Sequence, residues 1–171
     1  HVDHGLIPMI LFDYQKEVIN AYLTNKEIVM NTSRQAGKTS AATVIILHFA
    51  LFNKNKDIAI LANKGSQARE ILSRIQMAYE YLPEFLKGGV KQWNKGSVEF
   101  ENGSKIVAAA SSSTAIRGNS KAMVYIDETA FVPHWDEFSA SVLPVLSSGK
   151  ESRLILTSTP CGLNHFYEYC E

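Results

Sequence analysis

Cysteine is nearly missing from this chain. Only Cys161 and Cys170 occur in 171 residues. They fall late and without Cys-x-x-Cys spacing, so they build neither a disulfide framework nor a zinc site. A reducing cytosol is the simpler setting. Surplus charge is missing too, since 17 Lys+Arg against 17 Asp+Glu leave a formal net charge of zero. That removes the global basic signature of a nucleic-acid binder, although local patches remain open. No apolar run reaches transmembrane length and no signal peptide is present, so no membrane role is expected. An initiating Met is also lacking. The chain opens on His1 and stops at Glu171 in a helix-like run, which reads as a piece of a longer protein. His1-Val2-Asp3-His4 carries metal-type side chains, but a flexible end is the simpler reading.

What remains is ordinary soluble composition and enough length to bury the core of one domain. The chain is organised around Asn31-Thr32-Ser33-Arg34-Gln35-Ala36-Gly37-Lys38-Thr39. A short apolar run, Ile28-Val29-Met30, enters this stretch, and a long helix-forming run from Ser40 to Phe52 leaves it. Strand, small-residue turn, Gly-Lys-Thr and helix make the layout of a phosphate cradle. In it, backbone N–H groups at a helix N-terminus face the phosphates. Lys38 then reaches the β- and γ-phosphates, and the Thr39 hydroxyl binds Mg²⁺. The common G-x-x-x-x-G-K-[ST] pattern has a first glycine where Thr32 stands. A β-branched residue tolerates positive φ badly, so this loop must start outside the left-handed region.

Asp13 can cap a helix from Tyr14 to about Leu23. Gln15, just upstream of the loop strand, has the paired donor and acceptor that can read an adenine edge, and Tyr14 can stack on a base. The helix after Lys38 is apolar nearly all round, Phe52 included, and should be buried; His48 reads as a core or boundary residue. Ile58 to Ala62 is a buried strand of the kind found in parallel sheets. A helix follows from Gly65-Ser66 to about Leu82 and ends at Pro83. Asn102-Gly103, between Ser97-Val98-Glu99-Phe100-Glu101 and Ser104-Lys105-Ile106-Val107-Ala108, is a strong hairpin signal. Ser111 to Lys121 is a small, polar loop with one long cation near its middle, Arg117.

Ala122-Met123-Val124-Tyr125-Ile126 is a further buried strand, and it ends in Asp127-Glu128. Two acids there are costly unless something needs them. In phosphate-loop NTPases an Asp at this place completes the Mg²⁺ shell with the loop hydroxyl. The next acid can act as general base toward water. Neighbouring side chains on a strand point opposite ways, so the strand end must redirect one of them. A helix from Trp135 to Leu146, a Ser147-Ser148-Gly149 turn, a strand from Arg153 ending in Thr157-Ser158-Thr159, and a final helix from Asn164 complete the reading. Strands alternating with helices imply a mainly parallel sheet with ligands at its carboxyl ends. Lys38, Thr39, Asp127, Glu128, Thr157 and Thr159 all fall at that end.

Taken together, six stretches resemble one family. They are Asp13-Tyr14-Gln15, Ser33 to Thr39, Trp93-Asn94-Lys95-Gly96-Ser97, Ile116-Arg117-Gly118-Asn119-Ser120, Met123 to Glu128 and Thr157-Ser158-Thr159-Pro160. In order and spacing they are similar to the large terminase subunit of tailed phages, closest to the T-even type. The resemblance implies an α/β P-loop NTPase core of the ASCE/RecA-like kind, a three-layer sandwich with an antiparallel hairpin at Asn102-Gly103. By analogy with that fold, the Arg153–Thr159 strand should lie between the loop strand and the acidic strand. The chain would be a single ATPase core, with the family's lid subdomain and C-terminal nuclease domain absent from it.

The family's activity is ATP hydrolysis with Mg²⁺, driving double-stranded DNA into a prohead. Its partners are the portal protein, the small terminase subunit and further copies in a ring, all in the infected host cytoplasm. Carried over residue by residue, Ser33, Arg34, Gln35, Ala36, Gly37, Lys38, Thr39 and Ser40 form the nucleotide loop, with Gln15 at the adenine. Asp127 is the metal acid beside Thr39, and Glu128 is the catalytic glutamate. Thr157, Ser158 and Thr159 form the coupling motif that links hydrolysis to motion. Two arginines fit the transition-state finger: Arg34 within its own subunit, or Arg117 on a neighbour's ATP, the loop favouring Arg117. A helicase or translocase on the same core is the alternative, although helicases usually show Asp-Glu-x-His where Asp127-Glu128-Thr129-Ala130 stands. A nucleotide-binding module without turnover is a third reading; Lys38 and Glu128 argue against it.

Overall fold

A computed structural model describes residues 7–112, 120–147 and 152–171. The Arg117 loop, the His1–His4 stretch and the 148–149 turn lie outside the described residues. Helix α1 (Asp13–Thr24) leads into strand β1 (Glu27–Asn31), the phosphate-loop stretch and α2 (Lys38–Phe52). Then come β2 (Asp57–Ala62), α3 (Gly65–Glu80), β3 (Val90–Trp93), β4 (Ser97–Phe100) and β5 (Lys105–Ala110). The chain continues through β6 (Met123–Ile126), α4 (Trp135–Ser147), β7 (Arg153–Ser158) and α5 (His165–Glu168).

The seven strands form one sheet in the order β1-β7-β6-β2-β5-β4-β3. β1, β7, β6, β2 and β5 run parallel, while β4 and β3 run antiparallel at one edge. The expected insertion holds: β7 pairs with β1 on one side and with β6 on the other. The expected hairpin is β4–β5. β3 is an added edge strand that hydrophobic pattern alone does not reveal, because only Val90 is even half-buried there.

Side-chain alternation divides the core in two. Ile28, Met30, Ile58, Ile60, Met123, Tyr125 and Ile155 pack toward α1, α2 and α3. Ala59, Leu61, Val124, Ile126, Leu154 and Leu156 pack toward α4 and α5. The result is helices, sheet and helices in three layers, as expected.

Four local readings change, the first being His48, which is exposed on α2 rather than a core or boundary residue. Phe12 rather than Asp13 is the N-cap of α1; Asp13 is the first helical residue and its carboxylate accepts from Lys16 at 2.8 Å. Phe52, at 61% exposure, emerges from the core at the end of α2 and stacks on His48. Asn102, read as a turn former, also caps α2: its Nδ2 donates to the carbonyls of Ala50, Leu51 and Asn53 at 2.8, 3.2 and 3.1 Å. Its Oδ1 accepts from Ser104 N at 2.9 Å. Gly103 takes the left-handed φ of 83° that the turn requires.

The hairpin thus grips the far end of the helix that begins at Lys38. Asn102→Ala should lose about 2 kcal/mol of stability, because three helix-end carbonyls lose a partner together. Urea unfolding of the two proteins measures it.

Candidate active site

The loop between β1 and α2 is shaped by two left-handed residues, Gln35 (φ 59°) and Gly37 (φ 92°), whereas Thr32 stays out of that region. This is how a chain without the usual first glycine makes the turn. Glycine is needed at 37 for a second reason. A Cβ there would lie 2.6 Å from Gln15 Nε2 and 3.2 Å from the Tyr14 hydroxyl. Those two side chains brace the loop from α1. The Tyr14 hydroxyl donates to the Ala36 carbonyl, and Gln15 Nε2 donates to the Gly37 carbonyl at 3.0 Å. Gln15 Oε1 in turn accepts from Phe12 N at 2.9 Å, and the residue is buried. One N–H and one lone pair of its amide remain beyond these bonds.

Lys38 is 7% exposed. Its ammonium reaches only the carbonyls of Thr32 and Ser33, at 3.4 and 3.3 Å, and joins no ion pair among the described residues. A buried cation held by two long, neutral contacts is short of negative charge, and the helix N-terminus beside it adds to that deficit. The Thr32 hydroxyl nearby is buried without a hydrogen-bond partner. Arg34 is exposed on the loop.

The acids sit two strands away. Asp127 continues the alternation of Met123 and Tyr125, so it falls on the α2 side of the sheet. Its Oδ1 accepts from the Thr157 hydroxyl at 2.9 Å and from the Tyr125 hydroxyl at 3.0 Å. Burial, then the Asp127 charge, push the Tyr125 phenol well above its ordinary pKa, so it remains a neutral donor.

Glu128 would face the α4 side, but a left-handed φ of 50° turns the chain at this residue. That is the redirection two neighbouring acids need, and it is a strained choice for a side chain with a Cβ. The surroundings enforce it. Thr129 and Ala130, which follow, are held by the Ile126 carbonyl, by the Ser158 hydroxyl and by Asn164 and His165. The ring of His165 stacks flat on Trp135 at 4.6 Å. Glu128 Oε2 lies 3.5 Å from the Ser158 hydroxyl and 3.4 Å from that of Thr159.

The end of β7 and the residue after it therefore serve both acids, Thr157 bonding to Asp127, and Ser158 and Thr159 to Glu128. Of the residues expected at the site, Asp127, Glu128, Thr157, Ser158 and Thr159 meet directly. Gln15, Ala36, Gly37, Lys38 and Ser33 meet at the loop, with Thr39 and Ser40 opening α2. Sequence pattern does not reveal the roles of Tyr125 and of the Tyr14 brace. The sign for Tyr125 was one hydroxyl in an otherwise apolar strand.

A single carboxylate and one hydroxyl at a helix start suit a Mg²⁺ that keeps its waters and binds phosphate oxygens. An all-protein cage does not fit: no group of three His, Cys, Asp or Glu is gathered among the described residues.

A family model described as "Terminase large subunit, T4likevirus-type, N-terminal" matches residues 29–171. Among solved structures, the large terminase of bacteriophage HK97 is similar at a TM-score of 0.76 and 22% identity, over 92% of this chain and 34% of that one. The ATPase domain of the large terminase of Thermus phage P74-26, in a point-mutant form, gives 0.76 and 24%, over 96% of this chain and 70% of that one. A DEAD box protein from the hyperthermophile Methanococcus jannaschii gives 0.58 and 18%, over 87% of this chain and 44% of that one. At these identities the likeness is one of fold. The chain spans about a third of the HK97 protein's length.

Gly37→Ala should force an L-residue into a left-handed φ and push its Cβ into Gln15. We expect at least about a tenfold loss of nucleotide affinity, measured by equilibrium titration with a fluorescent ATP analogue.

Proposed function

Because the chain belongs to the large terminase subunit family of the T4-like type, we propose that it is the ATP-hydrolysing core of a DNA-packaging motor. The observation that carries this reading is the pair of acids at the end of β6, each hydrogen-bonded to hydroxyls of the β7 tip. Such an arrangement suits a site that must hold a metal-bound triphosphate and sense its loss. The family match, rather than fold likeness, favours a motor over a helicase, since the DEAD box protein shares the fold.

In this reading the buried Lys38 ammonium gains its counter-charge from the β- and γ-phosphates, and the N–H groups of residues 33–40 cradle them. Mg²⁺, when bound, neutralises phosphate charge, with Asp127 and Thr39 holding it. Glu128 accepts the proton of the attacking water. Ser158 and Thr159 both lie against Oε2 and so fix which oxygen faces the reaction. Gln15 links base to loop, since the amide that would read adenine also grips the Gly37 carbonyl. Thr157 to Thr159 pass a change at the phosphates into β7. Arg117 is the proposed finger, reaching a neighbour's ATP in a ring, with Arg34 as the alternative in its own subunit. Such a finger contributes about 10³–10⁵ in rate. Double-stranded DNA, the portal protein and the small terminase subunit are the partners this role requires, at the prohead portal in the host cytoplasm. We assign no nuclease chemistry to these residues.

Lys38→Ala should abolish ATP binding, while Glu128→Gln keeps binding and lowers kcat by at least about 10²-fold. Equal ATP affinity in Lys38→Ala and the parent protein contradicts the site. In the full-length protein, mixing Arg117→Ala subunits with Glu128→Gln subunits should restore part of the ATPase rate. No restoration removes the trans finger.

A further inference from the structure

Packing does not explain the hydroxyl of Tyr125. The residue is fully buried in β6, between β2 and β7. Its ring packs in the same core cluster as Ile58, Ile60, Met123 and Ile155. A phenylalanine would fill the same volume without bringing a polar atom into the core. A buried phenol is tolerated only where its O–H finds partners. Here it finds two, Asp127 Oδ1 at 3.0 Å and Thr157 Oγ1 at 3.0 Å, and Thr157 Oγ1 itself lies 2.9 Å from Asp127 Oδ1. Three oxygens from two neighbouring strands thus close into a triangle. Each hydroxyl brings one proton, and the carboxylate is the stronger acceptor, so both are directed at the same oxygen.

The geometry follows from the strand. Tyr125 and Asp127 are two residues apart, so both side chains leave β6 on the α2 face. Thr157 leaves β7 on that face too, in alternation with Ile155. Nothing else among the described residues bonds to Asp127 through its side chain. Its orientation therefore rests on these two hydroxyls, and one of them comes from within the core, where it is not free to move.

Resting on the reading of Asp127 as the metal acid, we propose that Tyr125 is a positioning residue for the metal site. Its hydroxyl fixes the Asp127 carboxylate and locks it to Thr157, so the acid and the β7 tip shift as one unit. Tyr125 touches neither metal nor nucleotide; it acts through Asp127. Partners that orient a ligating carboxylate commonly govern metal affinity by about 10- to 100-fold.

The test is Tyr125→Phe in the full-length protein, read by equilibrium binding of a fluorescent ATP analogue across a Mg²⁺ titration. The Mg²⁺ concentration at half-saturation should rise about tenfold, while binding in EDTA and the thermal midpoint stay close to the parent's. Asp127→Asn runs beside it as the control for the site. If Asp127→Asn raises the Mg²⁺ requirement and Tyr125→Phe does not, the positioning role is overturned and the site stands. If neither does, the reading of Asp127 falls and this proposal with it. Should Tyr125→Phe not fold, Thr157→Ser and Thr157→Val decide. Serine keeps the hydroxyl and should preserve the Mg²⁺ requirement, while valine should raise it. Equal requirements in the two overturn the triangle.

Discussion

Like charge on adjacent residues is the constraint around which the carboxyl end of this sheet is arranged. Asp127 and Glu128 leave one buried strand within a single peptide unit of each other. Alternation sends the first to the α2 face. The second is turned by a left-handed backbone that only its surroundings make affordable. The hydroxyls of Thr157, Ser158 and Thr159 then receive the acids separately. Separate hydroxyl partners thus hold the two carboxylates apart although they leave the same strand end.

The opposite charge is treated in the complementary way. Lys38 is buried beside a helix N-terminus with only long carbonyl contacts. Its loop, turned by Gln35 and Gly37, is also braced from outside by Tyr14 and Gln15. Arg153, at the start of β7, donates to the carbonyls of Tyr22 and Asn25 at 2.8 and 2.5 Å and so fixes the other end of the same helix. α1 therefore connects the loop to β7 as well as to its own strand, and the cationic and anionic halves of the site share one frame.

Much of this was legible in the residues alone. Continuous apolar runs marked β2, β6 and β7 because strands covered on both faces need no polar side. The place of β7 between β1 and β6 followed from fold analogy, and the pairing agrees. The edge strand β3 was not legible, because Val90-Lys91-Gln92-Trp93 carries almost no burial pattern and owes its form to pairing with β4. The bracing of the loop by Tyr14 and Gln15 spans 22 residues, a distance at which local periodicity says nothing. Asn102 looked like a turn residue and is one, but its grip on α2 depends on where the hairpin lands in space. Phe52 differs for the opposite reason: its helix is apolar nearly all round, yet Phe52 lies one turn from the exposed His48 and stacks on it away from the core.

The position of β7 has a consequence for how the molecule comes to be. Of the seven described strands it is the last in chain order, and it lies second in the sheet, between the strand that leads to the lysine and the strand that ends in the acids. Until residues 153–158 emerge, β1 has no neighbour among the described strands. The shorter nascent chain holds an open seam with two unpaired strand flanks, a slow, non-local closure of the kind that exposes edges to aggregation. The proposed site is therefore assembled only when residues 153–158 enter the gap and join the two halves.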